Sequence, residues 1–233
     1  MSAYVTIEWS SQDLASVIDT LAQKQMRFAV ALALTRTAQR VKAAEYASMK
    51  EVFDRPTNFT LNSLMLRPAT KARQNAHVWF KDFAPKGTPA AKYLQPQVFG
   101  GTRSNTRFEG ALRHAGVLGP REFAIPARGA PRDAHGNVQR GLYQKIMSDL
   151  AASRDASQNS KGQAKYFVGT VGSAHGVFFP KSRHEVKLLF IFTGEPHYEP
   201  RFPFFAIAER VQSAEYATAF TQALDQALAT ARR

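Results

Sequence analysis

The sequence predicts an α+β fold, with a mainly antiparallel sheet packed against two long helices and interrupted by a polar insertion. No glycine or proline interrupts the chain from Leu14 to Arg55, and a second run of helically spaced apolar residues starts at Pro203. Between these runs lie several short segments typical of strands, without the regular strand–helix alternation of a parallel sheet. We therefore expect one domain over residues 1–233, with residues 128–165 as an insertion.

The first long helix carries an apolar face at helical spacing. Its residues recur at steps of three and four, as Val30, Leu34, Ala38, Val41 and Glu45. A similar stripe over Leu14–Leu21 precedes it, and nothing between the two would break the helix. The helix must end before Pro56, because the residue ahead of a proline is steered out of the helical conformation.

Strands are predicted where β-branched and aromatic residues alternate with polar ones or form short apolar runs. The three residues Gly172-Ser173-Ala174 have the right length for a hairpin turn between two of them. We expect these strands to form one sheet. The predicted strands are Tyr4–Trp9, Ala76–Asp82, Glu122–Ala127, Tyr166–Val171, Gly176–Phe179 and His184–Thr193.

The remaining segments are predicted as one long loop and two short helices. Four groups of turn residues predict the loop after Phe83, namely Pro85-Lys86-Gly87, Pro89, Pro96 and Gly100-Gly101. The short helices are expected over Arg107–Leu118, with Phe108 on the inward face, and over Leu142–Leu150.

The chain is strongly basic, with 31 Lys and Arg residues against 18 Asp and Glu residues and a formal net charge of +13 at pH 7. This excess fits an ordinary solvated surface, and it equally fits a surface that faces phosphate groups or an acidic partner. Charge alone does not choose between these interpretations. The absence of cysteine excludes disulfides, thiolate metal sites and cysteine nucleophiles.

No pattern in the sequence indicates an enzyme, a cofactor or a metal site. The six histidines show no helical i, i+4 pair, and no serine lies in a GxSxG turn. No two carboxylates are placed for acid–base chemistry. We also expect no signal peptide and no membrane partner, since the longest apolar run, FAVALAL, is far too short to span a bilayer.

Four stretches of the chain together resemble one protein family. They read RFAVALALTRTAQRV, FDRPTNFTLNSLMLRPATK, VWFKD and KGTPAAKYLQPQVFGGTR. In order and spacing they resemble the minor tail protein Z family of long-tailed bacteriophages and prophages, and the resemblance covers Arg27 to Leu118. It implies a structural, non-enzymatic virion protein of the tail or neck, present in the host cytoplasm during assembly.

The resemblance also implies partners. A tail-completion protein acts where the tail tube ends and joins the head, so we expect contacts with the tail terminator or tail tube and with head-connector proteins. A protein that caps a tube of stacked rings tends to share their symmetry, so we expect a closed ring of six copies. Non-specific contact with packaged DNA is a further expectation.

Two sets of residues are candidates for these contacts. The break after the first helix and the apolar part of the predicted loop are candidate subunit interfaces, with Arg55, Pro56, Phe59, Tyr93, Leu94, Val98 and Phe99. The basic residues that are candidates for contact with an acidic partner or with the DNA backbone are Arg36, Arg40, Lys42, Arg103 and Arg107. The alternative function is a non-specific nucleic-acid-binding protein of phage or prophage origin, which rests on charge.

Overall fold

The computed structural model describes residues 11–85 and 87–231, and it has the predicted α+β fold. The predicted strand at Tyr4–Trp9 lies outside the described residues. The helices are α1 (Ser11–Val52), α2 (Asn58–Leu61), α3 (Ala90–Phe99), α4 (Arg107–His114), α5 (Arg140–Asp149) and α6 (Phe204–Ala231).

All paired strands of the described chain run antiparallel. They are β1 (Leu64–Arg67), β2 (His77–Phe80), β3 (Gly101–Thr102), β4 (Phe123–Pro126), β5 (Phe167–Val171), β6 (Ala174–Pro180), β7 (Val186–Thr193) and β8 (His197–Tyr198). The prediction of one sheet is wrong, since β1 pairs with β2, β3 pairs with β8, and the other four follow the order β4-β7-β6-β5. The cause is local: β1 and β2 are close in sequence and satisfy each other's backbone hydrogen bonds.

The chain divides into two compact units. Unit 1 holds the described residues up to Met49 together with Leu61–Lys81 and the part from Pro203 onward. Unit 2 holds Lys50–Thr60 and Asp82–Phe202.

Unit 1 is built on α1 and α6, the two long helices that the sequence predicts. Small side chains form the core between them, and these are Ala29, Ala33, Ala219, Ala223 and Ala227. Alanine favours the helix and allows two backbones to approach closely. The Thr35 hydroxyl donates to the Ala31 carbonyl at 2.8 Å and accepts from the Ala69 N–H at 3.1 Å, which ties the chain after β1 to α1.

Unit 2 is built on the four-stranded sheet, with α4 and α5 packed against it. Phe190 of β7 is 1% exposed, and its ring centroid lies 5.0 Å from that of Phe108 and 5.6 Å from that of Tyr143. The prediction that Phe108 packs inward is therefore confirmed. Strands β6 and β7 approach closely beside Phe190. A Cβ atom added at Gly176 would lie 2.0 Å from the carbonyl oxygen of Phe190.

Residues 128–165 have too few large apolar residues for a core of their own, and the structure shows how they are buried. Five of them join the core of the unit 2 sheet, as Ala130, Val138, Leu142, Ile146 and Ala152. The predicted helix in this segment is present as α5.

The predicted loop after Phe83 is wrong over residues 90–99, which form α3 in spite of Pro96. Pro89 precedes the first helical residue, a position that tolerates proline. Pro96 removes one backbone donor and costs about 3 kcal/mol within a helix. Burial of Ala90, Leu94 and Pro96 itself offsets that cost.

A helix that crosses a bilayer must be both long and apolar. None of the described helices between residues 11 and 231 meets both requirements for crossing a membrane.

Candidate functional site

Four of the candidate interface residues meet in a cleft of about 380 Å³ in unit 2, which we call the Arg55 cleft. These are Arg55, Pro56, Phe59 and Tyr93. The cleft forms where α1 ends and the chain turns into α2, opposite α3 and the turn at His135. Its volume lies near the lower end of the roughly 300–1,000 Å³ range of small-ligand pockets.

Arg55 is held in an unusual conformation at the centre of this cleft. Its φ is +46°, in the left-handed region that non-glycine residues rarely adopt. Its guanidinium donates to the Asp54 carboxylate at 3.0 and 2.9 Å, and this hydrogen bond lowers the pKa of Asp54. The Arg55 carbonyl lies 3.0 Å from His135 Nδ1. Backbone strain of this kind costs on the order of 1–3 kcal/mol and is often found at functional sites.

Tyr93 links α3 to α2 at the other side of the cleft. Its hydroxyl lies 3.0 Å from the Thr60 hydroxyl, which in turn lies 3.1 Å from the Thr57 hydroxyl. Burial raises the pKa of Tyr93, partly opposed by the hydrogen bond from Thr60. Tyr93 therefore positions the wall of the cleft.

The other candidate interface residues differ in exposure. Leu94 is buried at 4% and Val98 is half-buried, so both belong to the packing of α3. Phe99 is 65% exposed and Phe59 is 53% exposed. Phe83, which the sequence did not single out, is 74% exposed.

The basic candidates on α1 lie in unit 1, and two of them contact α6. Arg36 donates to the Gln226 side chain at 2.8 Å, and Arg40 forms an exposed ion pair with Glu215 at 3.2 Å. Lys42, two residues further on, is half-buried. Exposed ion pairs of this kind contribute little to stability.

Arg103 has a structural role. Its two guanidinium nitrogens donate to the Glu109 carboxylate at 2.8 and 2.6 Å, and Glu109 is fully buried. Glu109 also accepts from the Thr106 N–H at 2.7 Å and completes a capping box at the start of α4. The guanidinium of Arg103 is thus occupied inside unit 2 and is not available to a partner.

Arg107, by contrast, lies at the edge of a groove of about 1460 Å³ in unit 2. The groove runs between the outer face of α4 and the chain from α5 to Tyr166. We call it the basic groove, because its charged lining includes Arg107, Lys145, Arg154 and Lys165 with one carboxylate, Asp149. Sequence reasoning missed all of these except Arg107, and the concentration of Lys and Arg in residues 128–165 was the available signal.

No group of three or more His, Asp or Glu residues able to hold a metal ion occurs among residues 11–85 and 87–231. The Arg55 cleft and the basic groove therefore offer hydrogen bonding, charge and apolar contact. Comparison of the chain with protein-family models, with curated proteins and with solved structures finds no match in any of the three. The resemblance to the minor tail protein Z family stays a prediction.

Proposed function

We propose that this chain is a structural protein of a long-tailed phage or prophage, which completes the tail and helps to join it to the head. It acts as a closed ring of six identical copies. The exposed phenylalanines of unit 2 carry this proposal. Of its described phenylalanines, those more than half exposed are Phe59, Phe83 and Phe99.

All three lie in the part of the chain that resembles the tail proteins. A phenylalanine left in water forgoes roughly 1.5–3 kcal/mol that burial would supply. Large exposed apolar groups on a folded chain are typical of protein–protein contacts. The strained Arg55 cleft beside Phe59 supports the same interpretation, because it holds the exposed ring on a well-defined turn.

Cyclic rings use contacts in which two different patches of the same subunit meet. One patch, in this proposal, consists of the Arg55 cleft with Phe59 and the segment around Phe83. The second belongs to the same unit or to unit 1 of the neighbouring copy. The tail tube or terminator and the head connector are the proposed partners at the two ends of the ring.

The replacement of Phe59 and Phe83 by serine tests the proposal. Both side chains are exposed, so we expect the double variant to fold with a free energy of unfolding within about 1 kcal/mol of the parent. Aromatic residues at the centre of an interface contribute 2 kcal/mol or more. We therefore expect assembly to weaken by roughly 30-fold or more, measured by sedimentation equilibrium.

The matched control is Val171→Ser, which removes a 48% exposed apolar side chain from the end of the β5–β6 hairpin. This variant should assemble as the parent does. Normal assembly of the Phe59→Ser, Phe83→Ser variant would contradict the proposed interface.

A further inference from the structure

The basic groove is larger than an ordinary small-ligand pocket. Its volume of about 1460 Å³ exceeds the roughly 300–1,000 Å³ of ordinary small-ligand pockets. One wall is the outer face of α4, where Gly110 and Ala111 leave the space open. The other wall is the end of α5 and the connection that follows it.

The cations of the groove come from both walls. Arg107 lies on α4, Lys145 lies on α5, and Arg154 and Lys165 lie on the connection after α5. All four residues are exposed. A ligand that runs along the groove would therefore meet positive charge on each side.

Two arginines of unit 2 outside the groove have internal partners, unlike the four groove cations within the described part of the chain. Arg103 is bound to Glu109, and Arg113 donates to the carbonyls of Gly119 and Glu122. No ion pair or side-chain hydrogen bond within the described chain engages the charged groups of the four groove cations. Their charge is available to a ligand.

The one carboxylate of the groove is occupied. Asp149 accepts from the backbone N–H groups of Lys165 and Tyr166 at 2.7 and 3.1 Å. These two hydrogen bonds hold the far end of the connection against α5 and take up part of the negative charge. The main role of Asp149 is therefore to hold the connection in place, and its repulsion of a bound anion is reduced.

Two aromatic residues that pack against the core of unit 2, Tyr166 and Phe179, also line the groove. The rings of Tyr166 and Phe179 have centroids 5.4 Å apart, and both side chains are only half-buried. Positive charge along a groove combined with accessible aromatic rings is the arrangement by which proteins hold unpaired nucleic-acid strands, because phosphates meet the cations and bases stack on the rings.

We propose that the basic groove binds an unpaired nucleic-acid strand, without sequence preference, through its phosphates and by stacking on the aromatic pair. An acidic protein segment would use the cations but would gain nothing from ring stacking. A duplex would present phosphates but keep its bases away from Tyr166 and Phe179. This proposal does not depend on the ring proposed above, since the groove lies within one copy.

The test is the binding of a labelled oligothymidylate of about 20 nucleotides by the full-length chain, measured by fluorescence anisotropy across a range of salt concentrations. Each phosphate contact contributes about −0.7 to the slope of log affinity against log salt for a single strand. Four contacts predict a slope near −2.8. The variant Arg107→Ala, Lys145→Ala should reduce the slope to about −1.4 and weaken binding roughly 25-fold at about 0.1 M salt.

The control is Arg140→Ala, Arg183→Ala, which removes the same charge from two exposed positions of unit 2 outside the groove. It should bind within about 3-fold of the parent, and both variants should melt as the parent does. A second variant, Tyr166→Leu, should weaken binding without changing the slope.

Three results would overturn the proposal. One is equal loss of affinity in the groove variant and the control, which would mean that overall charge binds the strand. Another is tighter binding of a duplex of the same length than of the single strand. The third is displacement of the oligonucleotide by polyglutamate of equal charge at equal concentration, which would assign the groove to an acidic protein segment.

Discussion

Replacement of Glu45 by methionine should stabilise the protein by about 5 kcal/mol above pH 8, the largest change we expect from one substitution. Glu45 lies on the buried face of α1 with no exposed surface, and neither carboxylate oxygen has a hydrogen-bond partner among the described residues. Burial raises the pKa of Glu45 from 4.5 to about 8. Methionine has a similar length and adapts to irregular space without a polar group to bury.

The pKa of Glu45 fixes the pH range of the effect. The folded-state pKa lies above the unfolded one, so the unfolded state releases the proton first as pH rises. Well below pH 4.5 the carboxyl is neutral in both states, so the penalty for burying its charge is absent and only the cost of the unpaired neutral group remains. Stability then falls as pH rises from about 4.5 towards 8, and the full penalty applies above that range.

Denaturant unfolding at several pH values measures this effect. The difference in unfolding free energy between Glu45→Met and the parent should grow from pH 5 to pH 8 and then level off. The control Glu51→Met makes the same chemical change at an exposed position of α1, and its effect should be small at every pH. A difference for Glu45→Met that does not vary with pH would contradict the buried, neutral carboxyl.

Replacement of Glu109 by glutamine should destabilise the protein by about 3–5 kcal/mol, because it leaves the Arg103 guanidinium without its counter-charge. Arg103 has only 19% of its side chain exposed, and Glu109 also accepts from the Ala124 N–H at 3.0 Å. The carboxylate therefore ties α4 to β4 as well as neutralising Arg103.

The pH dependence at Glu109 has the opposite sign to that at Glu45. Burial alone would raise the pKa of Glu109, but the hydrogen bonds from Arg103 and Thr106 outweigh it and lower the pKa. A lowered pKa contributes stability above the unfolded pKa, and that stability is lost as pH falls. The parent should lose this contribution in acid, whereas Glu109→Gln has none to lose.

Thermal and denaturant unfolding of matched ion-pair variants measure the contribution of Glu109. Glu185→Gln breaks the exposed pair with Lys181 and should cost less than about 1 kcal/mol. The double variant Arg103→Met, Glu109→Met should be less destabilised than the sum of its single changes, since it leaves no unpaired buried charge. Equal costs for Glu109→Gln and Glu185→Gln would contradict the buried pair.

Local sequence patterns predicted much of this fold. The periodicity of α1 placed Val41 and Glu45 on one face, because helix geometry fixes which residues share a face, and both are buried in the structure. The hairpin of β5 and β6 was predicted from a turn at Gly172-Ser173-Ala174, and in the structure Ala174 already belongs to β6, so that only Gly172 and Ser173 lie between the strands. The spacing of Thr106 and Glu109 is a capping-box signal that the sequence contains and that marks the start of α4.

What the sequence could not predict depends on contacts between distant segments. Residues 90–99 form α3 although their prolines and the glycines that follow them predict a loop. Burial of Leu94 stabilises this helix, and a local sequence pattern does not show which residues will be buried. The basic groove collects residues from Arg107 to Phe179 that only the folded chain brings together. Phe59 and Leu61 both follow Pro56 closely, and the sequence predicts that both anchor the turn. In the structure Leu61 is buried, whereas Phe59 is exposed.

The mass of the purified full-length protein in solution tests the proposed ring most directly. Native mass spectrometry and sedimentation should find a closed assembly of six copies of the 25.8 kDa chain. The assembly should persist in high salt, because apolar contacts are not screened as exposed charges are. A monomer at all protein concentrations, in both low and high salt, would contradict the account.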